Sequence, residues 1–197
     1  MSPAEMIAVG IVVGLPLIWL IVTANRFVRL RNLIRESWSN VDVVLKRRYD
    51  LIPNLVETVK GYVRHERELF ERVAEARSRA VASTGRVGQQ AADENQLVRC
   101  VNQLLARVEA YPELRASQQF LALQRELVNT EDRIAAARRF YNANVREYST
   151  LAGQFPSLLV ARLMKLPPED FFEVEDLAIR QPVQVALDPP GSRSGNA

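Results

Sequence analysis

Residues Met6 to Thr23 (MIAVGIVVGLPLIWLIVT) form an 18-residue run without one charged side chain. As a helix rising about 1.5 Å per residue, the run spans roughly 27 Å, close to the thickness of a bilayer's hydrocarbon core. Lipid offers no partner to backbone N–H and C=O groups, so a segment that crosses it must be helical and tethers whatever follows. Pro16, Gly10 and Gly14 are costly in a water-soluble helix but tolerated in lipid, and Trp19 and Phe27 suit the exit interface. A cleaved signal peptide needs a basic region ahead of its apolar stretch; Met1 to Glu5 contain no Lys or Arg, so the anchor is expected to persist. Only Glu5 carries charge before the run, whereas Arg26, Arg29, Arg31 and Arg35 follow it. By the positive-inside rule the chain is expected to be single-pass in the cell (inner) membrane, with its soluble part cytoplasmic and the arginines against anionic headgroups.

The rest of the chain reads as one domain of long helices. Only 8 Gly are present among 197 residues, and the middle is rich in Ala, Leu, Glu, Arg and Gln, all good helix formers. The lone Cys100 cannot make an internal disulfide. A net charge of +3, with no aromatic residues interleaved to stack bases, argues against a nucleic-acid partner. Phe27, Leu30, Ile34, Trp38, Val41, Leu45, Ile52, Leu55, Val59, Tyr62, Leu69, Val73, Ala76 and Ala80 recur at steps of three and four, predicting an amphipathic helix in which Pro53 is either a kink or the first turn of a new helix capped by Asp50; the unbroken phase of the stripe favours the kink. Ser83–Gln90 (STGRVGQQ) reads as a reversing loop, and a helix is expected over about 91–109 with Val98, Val101, Leu105 and Val108 buried and Leu97 and Leu104 flanking. Pro112 ends that helix and opens the next. From Leu114 to Leu151, a seam of Phe120, Leu123, Leu127, Thr130, Ile134, Ala137, Tyr141, Asn144, Tyr148 and Leu151 has coiled-coil spacing and demands a partner. Phe155-Pro156 breaks it, a short helix is expected over 157–165, and Pro167-Pro168 ends that. The expected division is an anchor over 1–25, a helical bundle over 26–176 and a Pro/Gly/Ser-rich disordered tail over 177–197.

Several stretches together resemble the LemA family of bacterial membrane proteins: Leu45-Lys46-Arg47-Arg48-Tyr49-Asp50-Leu51-Ile52-Pro53-Asn54-Leu55-Val56, Glu57 to Tyr62 (ETVKGY) with His65-Glu66, Tyr111-Pro112-Glu113-Leu114, Tyr141-Asn142 and Phe171-Phe172-Glu173. Ser149 departs from the pattern, standing where the family typically has Asn after the second Tyr. The resemblance implies an all-α protein, with one N-terminal transmembrane helix followed by an antiparallel bundle of the four-helix type. It implies no enzymatic reaction; some relatives are associated with magnetosome membrane formation.

Three groups have the density of a site. His65 with Glu66, Glu68 and Glu71 lacks a second His or usable Cys to complete a metal set, and reads as a solvated helix face. Lys46, Arg47, Arg48, Tyr49, Asp50 and Asn54 read as a helix junction with solvated charges rather than a surface for an anionic partner. Tyr141, Asn142, Asn144, Tyr148 and Ser149 read as packed rings and a register-fixing Asn rather than a ligand pocket. Cys100, beside the buried line of its helix, reads as an inert thiol. No catalytic, cofactor-binding or metal-binding residue is assigned, and no cofactor is expected. The expectation is a non-catalytic membrane-anchored scaffold or adaptor in membrane organisation, with the lipid bilayer and a protein partner or self-association as its contacts. The alternative is an enzyme or ligand-binding bundle with a polar Tyr/Asn pocket between helices.

Overall fold

A computed structural model of the chain describes residues 3–63, 66–83 and 85–177, apart from the side chains of residues 4–10. Six helices follow in order: α1 Pro3–Lys60, α2 Arg67–Ala82, α3 Val87–Val108, α4 Pro112–Ala116, α5 Gln118–Gly153 and α6 Ser157–Leu163, with no strand among the described residues. The all-α class is as expected; the tail from residue 178 and His65 lie outside the described residues.

α1 is a single 58-residue helix containing both Pro16 and Pro53. Its apolar segment is long enough to cross a membrane, and side chains from Ile11 to Val22 are largely exposed. Burial begins at Thr23, and the stripe Phe27, Leu30, Ile34, Val41, Leu45, Ile52, Leu55 and Val59 is buried as its spacing requires. Phe27 is therefore core rather than membrane interface: its ring stands edge-on to Tyr148, with centroids 6.0 Å apart at 82°. Helix continues through Pro53, but the stripe does not stay on one helix to Ala80. The chain leaves helical geometry at Gly61, the weakest helix former short of proline, and Tyr62 is exposed at the turn.

α2 and α3 form the expected hairpin, joined by a shorter loop than the Ser83–Gln90 expectation, since α3 already begins at Val87. On α3, Leu97, Val98, Val101, Leu104 and Val108 are buried and Leu105 only partly, so Leu104 takes the core place expected of Leu105. Pro112 opens α4 in its first turn, but that helix stops at Ala116 and α5 starts after Ser117, splitting the expected continuous segment from Leu114. The seam on α5 otherwise holds: Phe120, Leu127, Thr130, Ile134, Tyr141, Asn144 and Tyr148 are buried, with Leu123, Ala137 and Leu151 partly so.

α5 runs antiparallel to α1, as Arg47 meets Glu126, Arg48 meets Glu131, Ser37 meets Asn144 and Arg26 meets Glu147. The α2–α3 hairpin packs beside the C-terminal half of α1. After α6, Lys165 adopts a left-handed conformation (φ 49°), Lys165 N–H bonds Arg162 C=O at 3.1 Å, and Leu166 N–H bonds Ala161 C=O at 3.1 Å. This pair of bonds closes the helix end and turns residues 166–177 back as an extended strap along the bundle.

Candidate functional site

Two constructions gather the polar chemistry of the interior: an ionic hub at mid-bundle, and the groove that holds the strap.

The hub centres on Arg48, 1% exposed in a helix whose neighbouring Lys46 and Arg47 lie at the surface. Its position is in phase with Val41, Leu45 and Ile52, so helical geometry turns it inward. Arg48 Nη2 pairs with Glu94 Oε2 of α3, itself 0% exposed, while Nη1 reaches Glu131 Oε1 of α5 at 3.1 Å. The second Glu94 oxygen accepts from the Tyr49 hydroxyl and from Gln90 Nε2, the latter at 3.1 Å. Gln90 Nε2 also lies 3.0 Å from the Tyr49 hydroxyl and 3.1 Å from Ala80 C=O, tying in the end of α2. Pro53 has no N–H to offer the carbonyl of Tyr49 one turn back; Arg77 Nε of α2 donates to that carbonyl at 2.6 Å instead. The proline thus leaves an acceptor that binds the next helix.

Electrostatics in the hub are set by burial against pairing. Burial alone would lower the Arg48 pKa, but Glu94 and Glu131 outweigh it and hold the guanidinium charged. Burial raises the Glu131 carboxyl above the usual carboxylate range, against the opposing pull of Arg48 and of a bond from the Leu177 backbone. Burial, with Glu94 beside it, also keeps the Tyr49 phenol protonated well beyond the ordinary range. An arginine clamped by two carboxylates, with a phenol that donates rather than ionises, joins four helices but presents no nucleophile with a base.

In the second construction, Tyr148 Oη donates to Pro167 C=O at 2.6 Å and Tyr141 Oη to Asp170 C=O at 2.9 Å. Asn142 pairs with Phe172 as a strand neighbour would: its Nδ2 donates to Phe172 C=O at 3.0 Å and its Oδ1 accepts Phe172 N–H at 2.9 Å. Asn95 of α3 repeats the device, donating to Glu173 C=O at 3.1 Å and accepting Glu175 N–H at 2.7 Å. Arg138 holds Val174 C=O and reaches Asp176 at 3.2 Å. Between these bonds Phe172 is fully buried, edge-on to Trp38 at 5.2 Å, and Trp38 also packs on Tyr141 at 5.3 Å. Burial, then Glu169 and Asp170, push the Tyr141 phenol up to about 12.

Of the polar patch expected from the sequence, Tyr141, Asn142 and Tyr148 therefore assemble on the strap, whereas Asn144 turns to Ser37 of α1 at 3.2 Å and Ser149 is exposed. The rings of the patch pack and each buried hydroxyl has one partner, as expected; that partner is the strap. The Lys46–Asn54 stretch is corrected: Arg48 and Tyr49 are buried rather than solvated, while Asp50 and Asn54 are exposed. Local spacing singles out neither Gln90 nor Glu94 as part of a site, although Glu94 lies in phase with Leu97, Val98 and Val101, a carboxylate on an apolar line. Glu66 pairs with Arg107 at 3.3 Å and Glu71 with Arg67 at 2.8 Å. Among the described residues no three His, Cys, Asp or Glu side chains gather to hold a metal. Cys100 is buried, its sulfur 3.8 Å from Gln96 Nε2.

Comparison with known sequences places the chain among relatives. The sequence profile of the LemA family matches residues 37–187, which include the hub and the strap. The chain is 23% identical over 179 residues to magnetosome protein MamQ of Magnetospirillum gryphiswaldense, covering 78% of this chain and 65% of that one. Magnetosome protein MamQ 2 of Paramagnetospirillum magneticum is 23% identical over 180 residues, covering 78% of this chain and 66% of its own length. Protein LemA of Metamycoplasma hominis is 25% identical over 157 residues, covering 78% and 70%. The chain thus spans just under two thirds of the MamQ proteins, and the match over residues 37–187 shows that it belongs to the LemA family.

Proposed function

We propose that this protein is a non-catalytic, membrane-tethered helical scaffold or adaptor in membrane organisation. The observation that carries the reading is α1: one unbroken helix has an apolar, outward-facing N-terminal part and a C-terminal part that forms the core seam of the bundle. Helix runs without interruption from the apolar part into the bundle, so in this proposal the bundle stands close against the bilayer rather than at the end of a linker. Tyr141, Asn142 and Tyr148, which would have lined a ligand pocket, are bonded to the chain's own strap, which weighs against the alternative of an enzyme or ligand-binding bundle. The magnetosome naming of the MamQ relatives supports a role at membranes.

In this proposal residues 1–25 are the anchor and the bundle runs from residue 26 to the end of the strap, where Leu177 is buried. By the positive-inside rule the arginines after the apolar run favour a bundle on the cytoplasmic side of the cell (inner) membrane, where in this proposal it engages a protein partner or a second copy. Affinity purification of the full chain from detergent-solubilised membranes tests the reading. A defined protein complex or stable self-association is the expected result. A small molecule co-purifying stoichiometrically with an otherwise solitary chain would overturn it in favour of the ligand-binding alternative.

A further inference from the structure

We infer that α6 is a second membrane contact, lying in the headgroup interface of the bilayer that α1 crosses; this rests on the anchor reading above. Its position follows from the antiparallel pairing. Arg26 of α1 meets Glu147 of α5 at 3.0 Å. From Glu147, α5 continues to Gly153 in the direction of the α1 N-terminus, about 9 Å at 1.5 Å per residue. Its end therefore lies beside the last apolar turn of α1, level with residues near Leu20. α6 packs on α1 and is fastened to that end of α5 by Ser157 Oγ, which lies 2.6 Å from Leu151 C=O and 3.0 Å from Gln154 C=O.

The two faces of α6 differ in kind. Ser157, Val160 and Ala161 are buried against the bundle. The opposite face carries Leu159, 55% exposed, and Leu163, 71% exposed, and Phe155 just before the helix is 80% exposed. Positions 155, 159 and 163 recur at steps of four, with Arg162 and Lys165 beside them. Apolar side chains of this size, set in a row beside a membrane-spanning segment and bordered by basic residues, match the acyl–headgroup boundary of an anionic bilayer. The same end of the bundle has an open cleft of about 390 Å³ walled by Arg146 and by the Arg26–Glu147 ion pair. The occupant of this face is lipid because the end of α5 that carries α6 stands level with residues near Leu20, where the outward-facing apolar run of α1 that includes Leu17, Ile18 and Ile21 comes to its end.

Lipid-borne quenching tests the assignment on the full chain in vesicles of phosphatidylcholine and phosphatidylglycerol. A single NBD fluorophore is attached in Leu163→Cys, Ile18→Cys or Val43→Cys, each with Cys100→Ala. Val43 is an exposed apolar residue twenty positions further along α1 than Thr23. Headgroup-level doxyl lipids should quench the probe at 163 several-fold more than that at 43, and mid-bilayer doxyl lipids should quench the probe at 18. Quenching at 18 with equal, weak quenching at 163 and 43 would overturn the interfacial helix while leaving the anchor in place. Loss of quenching at 18 would overturn both. A probe at 163 shielded only at high protein density, without lipid quenching, would assign the face to a second copy and overturn the inference.

Discussion

Asn144 Nδ2 of α5 donates to Ser37 Oγ of α1 at 3.2 Å, and both side chains are buried within the apolar seam of the two longest helices. Ser37 Oγ also lies 2.7 Å from Leu33 C=O and 2.9 Å from Ile34 C=O, so its own proton has a partner without Asn144. The pair is thus asymmetric. Ser37→Ala strands a buried amide and should cost about 1 to 3 kcal/mol. Asn144→Leu strands no donor and should be near neutral or stabilising, while loosening the register of α5 on α1. Denaturation midpoints with size-exclusion light scattering would check this; an Asn144→Leu loss as large as that of Ser37→Ala would contradict it.

Arg48→Met should cost about 3 to 5 kcal/mol, because it leaves Glu94 buried without its countercharge. Adding Glu94→Gln and Glu131→Gln should recover a large part of that loss, since no unpaired charge then remains. Denaturant titrations of the detergent-solubilised chain give both values. A triple variant no better than Arg48→Met would mean that the side-chain volume of Arg48, rather than its charge, is what the core requires.

The seam itself is tested by contrast. Leu127→Ala and Ile134→Ala should each cost about 2 to 5 kcal/mol, whereas Arg133→Ala, exposed on the same helix, should stay within about 0.5 kcal/mol. Glu126 is more than a third exposed and pairs with a similarly exposed Arg47, so Glu126→Ala should cost at most about 1 kcal/mol. Equal losses at 127 and 133 in thermal melts would refute the packing.

The strap should respond to alkali. The folded Tyr141 pKa, pushed up to about 12, lies above the unfolded value near 10. Its contribution to stability is therefore fully present below about pH 10 and is lost as pH rises towards 12. With Trp19→Phe removing the second indole, Trp38 fluorescence reports on Phe172 and hence on the strap. Tyr141→Phe should flatten this alkaline loss between pH 10 and 12. An unchanged alkaline profile would show that Tyr141 does not govern it.

Lys165→Gly should raise stability by about 0.5 to 1 kcal/mol, because glycine adopts the left-handed backbone that closes α6 without the strain a lysine bears. A thermal melt showing a loss would mean that the lysine side chain makes a contact worth more than that strain.

The separation between what sequence determines and what tertiary structure decides follows from the range of the interactions. The long apolar N-terminal helix, the α5 seam and the break at Phe155-Pro156 are legible because helical periodicity, desolvation and proline geometry act within a few residues. The break at Gly61 was harder to see, since the apolar phase of Val59, Tyr62 and Leu69 carries on across it as though the helix were continuous. The hub was hidden for a different reason: Arg48 belongs to a run of three basic residues, and only packing against Glu94 and Glu131, 46 and 83 positions away, makes burial tolerable for it. The same holds for Tyr141 and Asn142, whose local spacing announced a packed polar patch, while the strap that satisfies them arrives from 29 and 30 residues further on. Periodicity in a single chain tells which face of a helix is turned inward; which charge or carbonyl waits there is decided only when distant segments meet.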